Sequence, residues 1–292
     1  MRYKLRHQTI YSYVNSVDNY QSVLCLQPQT LPTQICHSFN LAIEPSPIKI
    51  YSRKDYFGNT QSYFSLHEPH KRLVVIATSE IEVLPKALPI ISPITCEEAS
   101  ILFSHNQALK IELLQYQLPS HFIDWDDEIK AFAQTCLRPN TPLFEGVRQL
   151  SAKIFTEFQF KSGFTSVNTP LKTVLKERKG VCQDFSHLAI ACLRSMGLAA
   201  RYVSGYLETI PPIGRQKLQG SDASHAWISV YIPQMGWCEF DPTNNIIPQE
   251  RHIITAYGRD YADVVPLKGI IFSSGDHKVK VEVDVVGVDG FF

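Results

Sequence analysis

The chain has 292 residues, 28 basic and 28 acidic side chains and hence zero formal charge, and 44% of it is hydrophobic. That is apolar material for one large core or two ordinary ones, with no need of disulfides. No stretch collects about five or six like charges, so the chain has neither the basic footprint of a nucleic-acid binder nor a polybasic membrane patch. The expected partner is a small molecule or a polypeptide, with no nucleic acid and no membrane, and the oligomeric state stays open.

Cysteines stand at 25, 36, 96, 136, 182, 192 and 238, an odd, scattered set without a C-x-x-C pair. Such a set argues against both a disulfide framework and a zinc ribbon. Reduced thiols in the cytoplasm fit best, and no cofactor or metal is expected. The start M-R-Y-K-L-R-H-Q-T has no apolar segment of a signal peptide behind it, and no apolar run approaches about 18 residues.

From Tyr3 to about Leu84 the hydrophobic period is two, as in Y-K-L-R-H-Q-T-I-Y-S-Y and R-L-V-V-I-A-T-S-E-I-E-V, so this part reads as strands. Gly58-Asn59, between aromatic-rich runs, marks a hairpin because both residue types tolerate positive φ. Pro85, Pro89 and Pro93 then break the pattern as a linker does. Beyond it the period becomes helical, in C-E-E-A-S-I-L-F-S-H-N-Q-A-L and again in D-D-E-I-K-A-F-A-Q-T-C-L. These shifts divide the chain into a β-rich domain over 1–95 and a second domain over 96–292.

Thr141-Pro142 and Thr169-Pro170 each offer a hydroxyl cap with proline at the first helical position, which predicts helices over about 142–158 and 170–178, the second stopped by Gly180. The final K-V-K-V-E-V-D-V-V-G-V alternates as an antiparallel strand with one wet face.

Two stretches carry chemistry. In G-V-C-Q-D-F-S-H-L-A-I-A-C-L-R-S-M-G, residues 180–197, the positions Phe185, Leu188, Ala189, Cys192, Leu193 and Met196 form the stripe of a helix docked on the core, closed by Gly197. Cys182 precedes that stripe, in the first turn. There, unpaired backbone N–H groups and the positive end of the helix dipole favour a thiolate. Cys192, inside the stripe, is a packing residue.

The second stretch is S-H-A-W-I-S-V-Y-I-P-Q-M-G-W-C-E-F-D-P-T-N-N, residues 224–245, a strand, a turn and a returning strand. Ala226, Ile228, Val230 and Ile232 make its aliphatic face, which leaves His225 on the other. For Asp241 to share that face and orient the imidazole, opposed residue numbers must sum to an even value, which predicts an odd-length loop or a bulge in this hairpin. Cysteine as nucleophile, histidine as base and aspartate as orienter would then arrive at the ends of three regular elements.

At these residues the chain resembles the transglutaminase-like superfamily, and within it the bacterial proteins described as candidate cysteine proteases. The matching blocks are G-V-C-Q-D-F-S-H-L, L-R-S-M-G-L-A-A-R-Y-V-S-G-Y-L, S-H-A-W-I-S-V-Y-I-P, G-W-C-E-F-D-P-T-N and Y-G-R-D-Y-A-D-V-V-P-L-K-G, covering about 150–270. The first 85 residues resemble the β-rich domain that commonly precedes this core in bacteria.

The resemblance implies an α+β fold, with a papain-like core in which a helix carrying Cys182 packs on an antiparallel sheet carrying His225 and Asp241. It implies acyl transfer on a peptide or isopeptide amide through a thioester, released to water (hydrolysis) or to an amine (cross-linking), with the Cys182 N–H a candidate oxyanion donor. Related sequences often have tyrosine at Phe160 and an acidic residue at Ser229. Asp184, Trp227, Trp237 and Arg259 are the residues that could border the cleft. A silent peptide-binding or scaffolding module would be expected to have lost one triad position, and none is lost. A metal site of His225, Asp241 and a thiol matches no zinc spacing.

Overall fold

The computed structural model describes residues 1–86, 91–209, 222–271 and 275–288. The predicted linker lies partly outside them, at Pro89. The fold is α+β. The period-two segment forms β1 (Arg2–Val17), β2 (Tyr20–Leu24), β3 (Gln34–Glu44), β4 (Ile50–Lys54), β5 (Thr60–Leu66) and β6 (His70–Val83). The predicted hairpin joins β4 to β5. Gly58 takes the positive φ of 82°, while Asn59 is fully buried and does other work.

Helices follow: α1 (Cys96–His105), α2 (Gln107–Leu113), α3 (Asp127–Gln134) and α4 (Leu143–Glu157). After them come a short β7 (Gln159–Phe160), α5 (Leu171–Glu177), β8 (Lys179–Gly180) and α6 (Cys182–Ser195). The chain then runs through β9 (Ala200–Leu207), β10 (Ser224–Ile232), β11 (Gly236–Phe240), β12 (His252–Gly258), β13 (Leu267–Ile271) and β14 (His277–Gly287).

Two capping expectations are corrected. The caps of α4 and α5 are Pro142 and Pro170 themselves, without a side-chain bond, so the threonines stand one residue too early. Arg178, at φ 53°, ends α5 in the left-handed region, two residues before Gly180.

Two four-stranded antiparallel sheets, ordered β14-β1-β6-β3 and β13-β2-β5-β4, enclose a core that includes Val17, Tyr20, Phe64, Leu66 and Leu73. The last two strands thus return across the position-95 boundary and pair with β1 and β2. On β14 only Val283 and Val285 are buried, whereas Val279 and Val281 stay about half exposed. A third antiparallel sheet, β11-β10-β9-β12, carries the helices. α6 is buried on every side from Asp184 to Arg194, with β10 against one flank and α3, α4 and α5 against the others. Among the described residues no helix is long and apolar enough to cross a membrane.

The other face and the edge of this third sheet are covered by the β-rich unit. β12 is an edge strand whose backbone would be left without partners. Two side-chain amides take the place of a neighbouring strand. Gln34 accepts from the Ile254 N–H at 2.7 Å and donates to the Ile254 carbonyl at 2.8 Å. Asn59 accepts from the Tyr257 N–H at 2.9 Å and donates to the Tyr257 carbonyl at 2.7 Å. Asn59→Leu strands these buried groups, and about 3 kcal/mol of stability should go with them. Thermal unfolding followed by circular dichroism should show Tm falling by roughly 6–10 °C; an unchanged Tm would refute the amide weld.

Candidate active site

β8 delivers the chain to α6 through Gly180 and Val181. Asp184, at the third helical position, turns its carboxylate back to accept the Val181 N–H at 2.7 Å and the Thr165 hydroxyl at 2.6 Å. Burial pushes the Asp184 carboxyl up, and these two hydrogen bonds pull against it. A Cβ at position 180 would lie 2.8 Å from that carboxylate, so glycine is required for the close approach. Asp184 is 3% exposed. It latches the start of the helix on which the half-buried Cys182 is the first residue.

In the β10–β11 hairpin Ser229 pairs with Glu239, Tyr231 with Trp237 and Ile232 with Gly236. The loop is the three residues Pro233, Gln234 and Met235, the odd length that puts His225 and Asp241 on one face. Gln234 and Gly236 adopt the positive φ values that close it. The His225 Nε2 donates to Asp241 Oδ2 at 2.8 Å. Opposite His225 on β9 stands Gly205, where a Cβ would come within 2.0 Å of the Ile253 carbonyl.

Asp241 is fully buried and collects five hydrogen bonds. Its Oδ1 accepts the N–H groups of Thr243 (2.9 Å) and Asn244 (3.2 Å). Its Oδ2 accepts His225, the Asn244 amide (2.7 Å) and the His252 Nε2 (3.2 Å). Burial alone would raise this carboxyl, yet its partners, His225 first, hold it well below the usual carboxylate range. Burial likewise pulls the His225 imidazole down, but the hydrogen bonds and charges of Asp241 and Cys182 outweigh it and push the ring up to about 10. With Nε2 committed to Asp241, any proton exchange by the ring falls to Nδ1.

His252 escapes notice in the sequence. It opens β12, and burial lowers its ring more than Asp241 raises it, so it serves as a neutral donor to the same oxygen. The donor atoms of His225, Asp241 and His252 lie within 4.8 Å of one another. Both imidazoles share Asp241 Oδ2 as their acceptor.

The other candidates are placed as follows. Trp227 is fully buried, 5.8 Å from the His225 ring and 5.1 Å edge-on to His252, so it packs behind the cluster. Trp237 is half-buried further along the sheet. Arg259 commits its guanidinium to Asp263 at 2.9 Å. Asp260, next to it, accepts the Phe122 and Ala262 N–H groups, both at 2.8 Å, as scaffold. Phe160 is 56% exposed beside Phe185. Cys192 is fully buried, and burial pushes its thiol far up.

Residues 130–242 match the model of the transglutaminase-like superfamily and residues 3–82 that of the bacterial transglutaminase-like N-terminal region. An uncharacterized protein of Mycobacterium tuberculosis is 39% identical over 300 residues, covering 99% of this chain and 94% of its own. One of Mycobacterium leprae is 32% identical over 238 residues, covering 80% and 81%. A Cytophaga hutchinsonii crystal structure described as that of a candidate cysteine protease superposes with a TM-score of 0.75 at 19% identity, over 100% of this chain and 92% of that one. That likeness is one of fold. The chain belongs to the transglutaminase-like superfamily.

The raised imidazole gives a pH prediction. His225 stabilises the folded chain fully below its ordinary value near 6.5, and this contribution fades as pH rises through about 10. Asp241 contributes above the ordinary carboxylate value and loses its effect in acid. The Asp241→Asn variant should therefore be most destabilised near pH 5–6 and approach the parent above pH 10. By nitrogen-edited NMR the parent ring should stay protonated through pH 8, and the variant's should titrate below it. A parent ring that titrates near 6.5 would contradict this electrostatic picture.

Proposed function

We propose that the protein is a cysteine-dependent acyl-transfer enzyme with Cys182 as nucleophile, His225 as acid–base and Asp241 as orienter, and that it hydrolyses peptide or isopeptide amides. The observation that carries this reading is the His225 imidazole bonded at 2.8 Å to a buried, fully hydrogen-bonded carboxylate, in the chain whose Cys182 opens a helix.

In this mechanism the Cys182 thiolate attacks the amide carbon. The negative oxygen of the tetrahedral intermediate faces the Cys182 N–H, one of the unpaired donors of the first helical turn. The His225 imidazolium gives its Nδ1 proton to the leaving amine as the C–N bond breaks, which leaves a thioester. The neutral imidazole then takes a proton from water, whose oxygen attacks the thioester. The acid departs as sulfur leaves as the thiolate, and the proton taken from water stays on Nδ1, which restores the starting ion pair. Asp241 keeps Nε2 protonated throughout, so Nδ1 does the transfer.

Water is the more abundant acceptor, which favours hydrolysis over cross-linking. Seven free cysteines fit a reducing compartment, here assigned as the cytoplasm.

A peptide library digested by the purified protein and read by mass spectrometry tests the assignment. Cleavage should fall by about 10⁶ in Cys182→Ala and His225→Ala, and Cys192→Ala should keep it. Cleavage that survives Cys182→Ala would refute the mechanism. Monodansylcadaverine incorporation exceeding hydrolysis would favour the cross-linking enzyme, and an inert protein would favour the binding module.

A further inference from the structure

A cavity of about 750 Å³ opens between the β-rich unit and the third sheet, with Phe57, Lys86, Arg201, Trp237 and Tyr257 in its wall. Arg201 on β9 pairs with Ser229, four residues along β10 from His225. At the rise of a strand this puts it roughly 13 Å from the imidazole, so the cavity is separate from the proposed reaction centre. The Arg201 guanidinium lies 4.2 Å from the centre of the Trp237 ring and 3.7 Å from that of Tyr257. Both rings cover its faces and leave its edge to make in-plane hydrogen bonds. The Tyr116 side chain reaches one part of it.

Its Nε is buried and has no hydrogen-bond partner among the described residues. The acidic group of the wall, Glu239, is already bound to Lys86 at 2.8 Å. The cavity therefore carries one excess positive charge, on a planar group whose faces are fixed. Apolar side chains such as Phe57 and Met235 supply the rest of the lining.

We propose that this cavity binds an organic carboxylate with an apolar or aromatic body, the carboxylate lying in the plane of Arg201 and the body against Phe57 and Trp237. A carboxylate matches the guanidinium edge with two parallel hydrogen bonds and removes the excess charge. A neutral amide of the same shape offers one acceptor oxygen in place of two and leaves the excess charge in place. The assignment does not rest on the chemistry of Cys182.

The test uses the Cys182→Ala protein and two acids, 3-phenylpropionate and the tripeptide Gly-Gly-Phe, each titrated beside its neutral amide by calorimetry. The pair of acids separates a free small acid from a peptide terminus as the source of the carboxylate. At least one acid should bind about ten- to a hundredfold more tightly than its amide, and Arg201→Met should abolish that preference. Cys238 also lines the cavity, its thiol pushed up to about 11 by burial, so the bound acid should slow its labelling by N-ethylmaleimide while the neutral amide leaves it unchanged. This protection is read on the parent sequence at Arg201 and holds the proposal to account even if Arg201→Met fails to fold. Equal binding of acid and amide, binding that survives Arg201→Met in a folded protein, no protection of Cys238, or no binding of either acid would overturn the proposal.

Discussion

Everything at the proposed reaction centre hangs on one buried carboxylate. Asp241 has no exposed surface, and an uncompensated charge there would be expensive. Five hydrogen bonds from Thr243, Asn244, His225 and His252 offset that cost and hold the carboxyl ionised. The ionised group then holds His225 protonated and keeps its Nε2 bonded to Oδ2. Removing one donor weakens the hub; removing the carboxylate leaves two imidazoles without a common acceptor.

Two backbone devices allow this cluster to form. The three-residue loop between β10 and β11 sets the face on which Asp241 arrives, and a two-residue loop would send it to the opposite side. Gly205 gives up its side chain so that β12, which carries His252, can pass close by. The β-rich unit completes the assembly from outside. Gln34 and Asn59 act as a substitute strand along the edge of β12 and so fix the strand that supplies the second imidazole. Packing of Tyr3, Ile81, Val283 and Val285 against Tyr206 and Ile253 joins the two units further.

Much of this is legible in the residue pattern. The apolar stripe from Phe185 to Met196 locates α6, and the alternation in β10 places His225 off the aliphatic face. The parity of the hairpin dictates its odd loop. The contribution of His252 has no such signal, because an edge-strand histidine reaches Asp241 only after three strands have been ordered in space. Asn244 looks like an ordinary turn residue after Asp-Pro-Thr, and an Asx-type turn is indeed what it and Thr243 make with Asp241. Asp184 reads as scaffold, with the edge of the cleft as the lesser alternative, and its short side chain turns back on Val181 and Thr165. The return of β13 and β14 to the first sheets is also invisible to a local reading, since alternation marks a strand without naming its partner.

The most direct measurement is the rate of iodoacetamide labelling at Cys182 against pH, in the parent protein and in His225→Ala. An imidazolium held up to about 10 beside the sulfur should keep labelling fast well below pH 8, and the substitution should move that limb upward. Slow labelling with the pH dependence of an ordinary thiol, indifferent to His225→Ala, would contradict the central claim that Cys182 and His225 act as one unit.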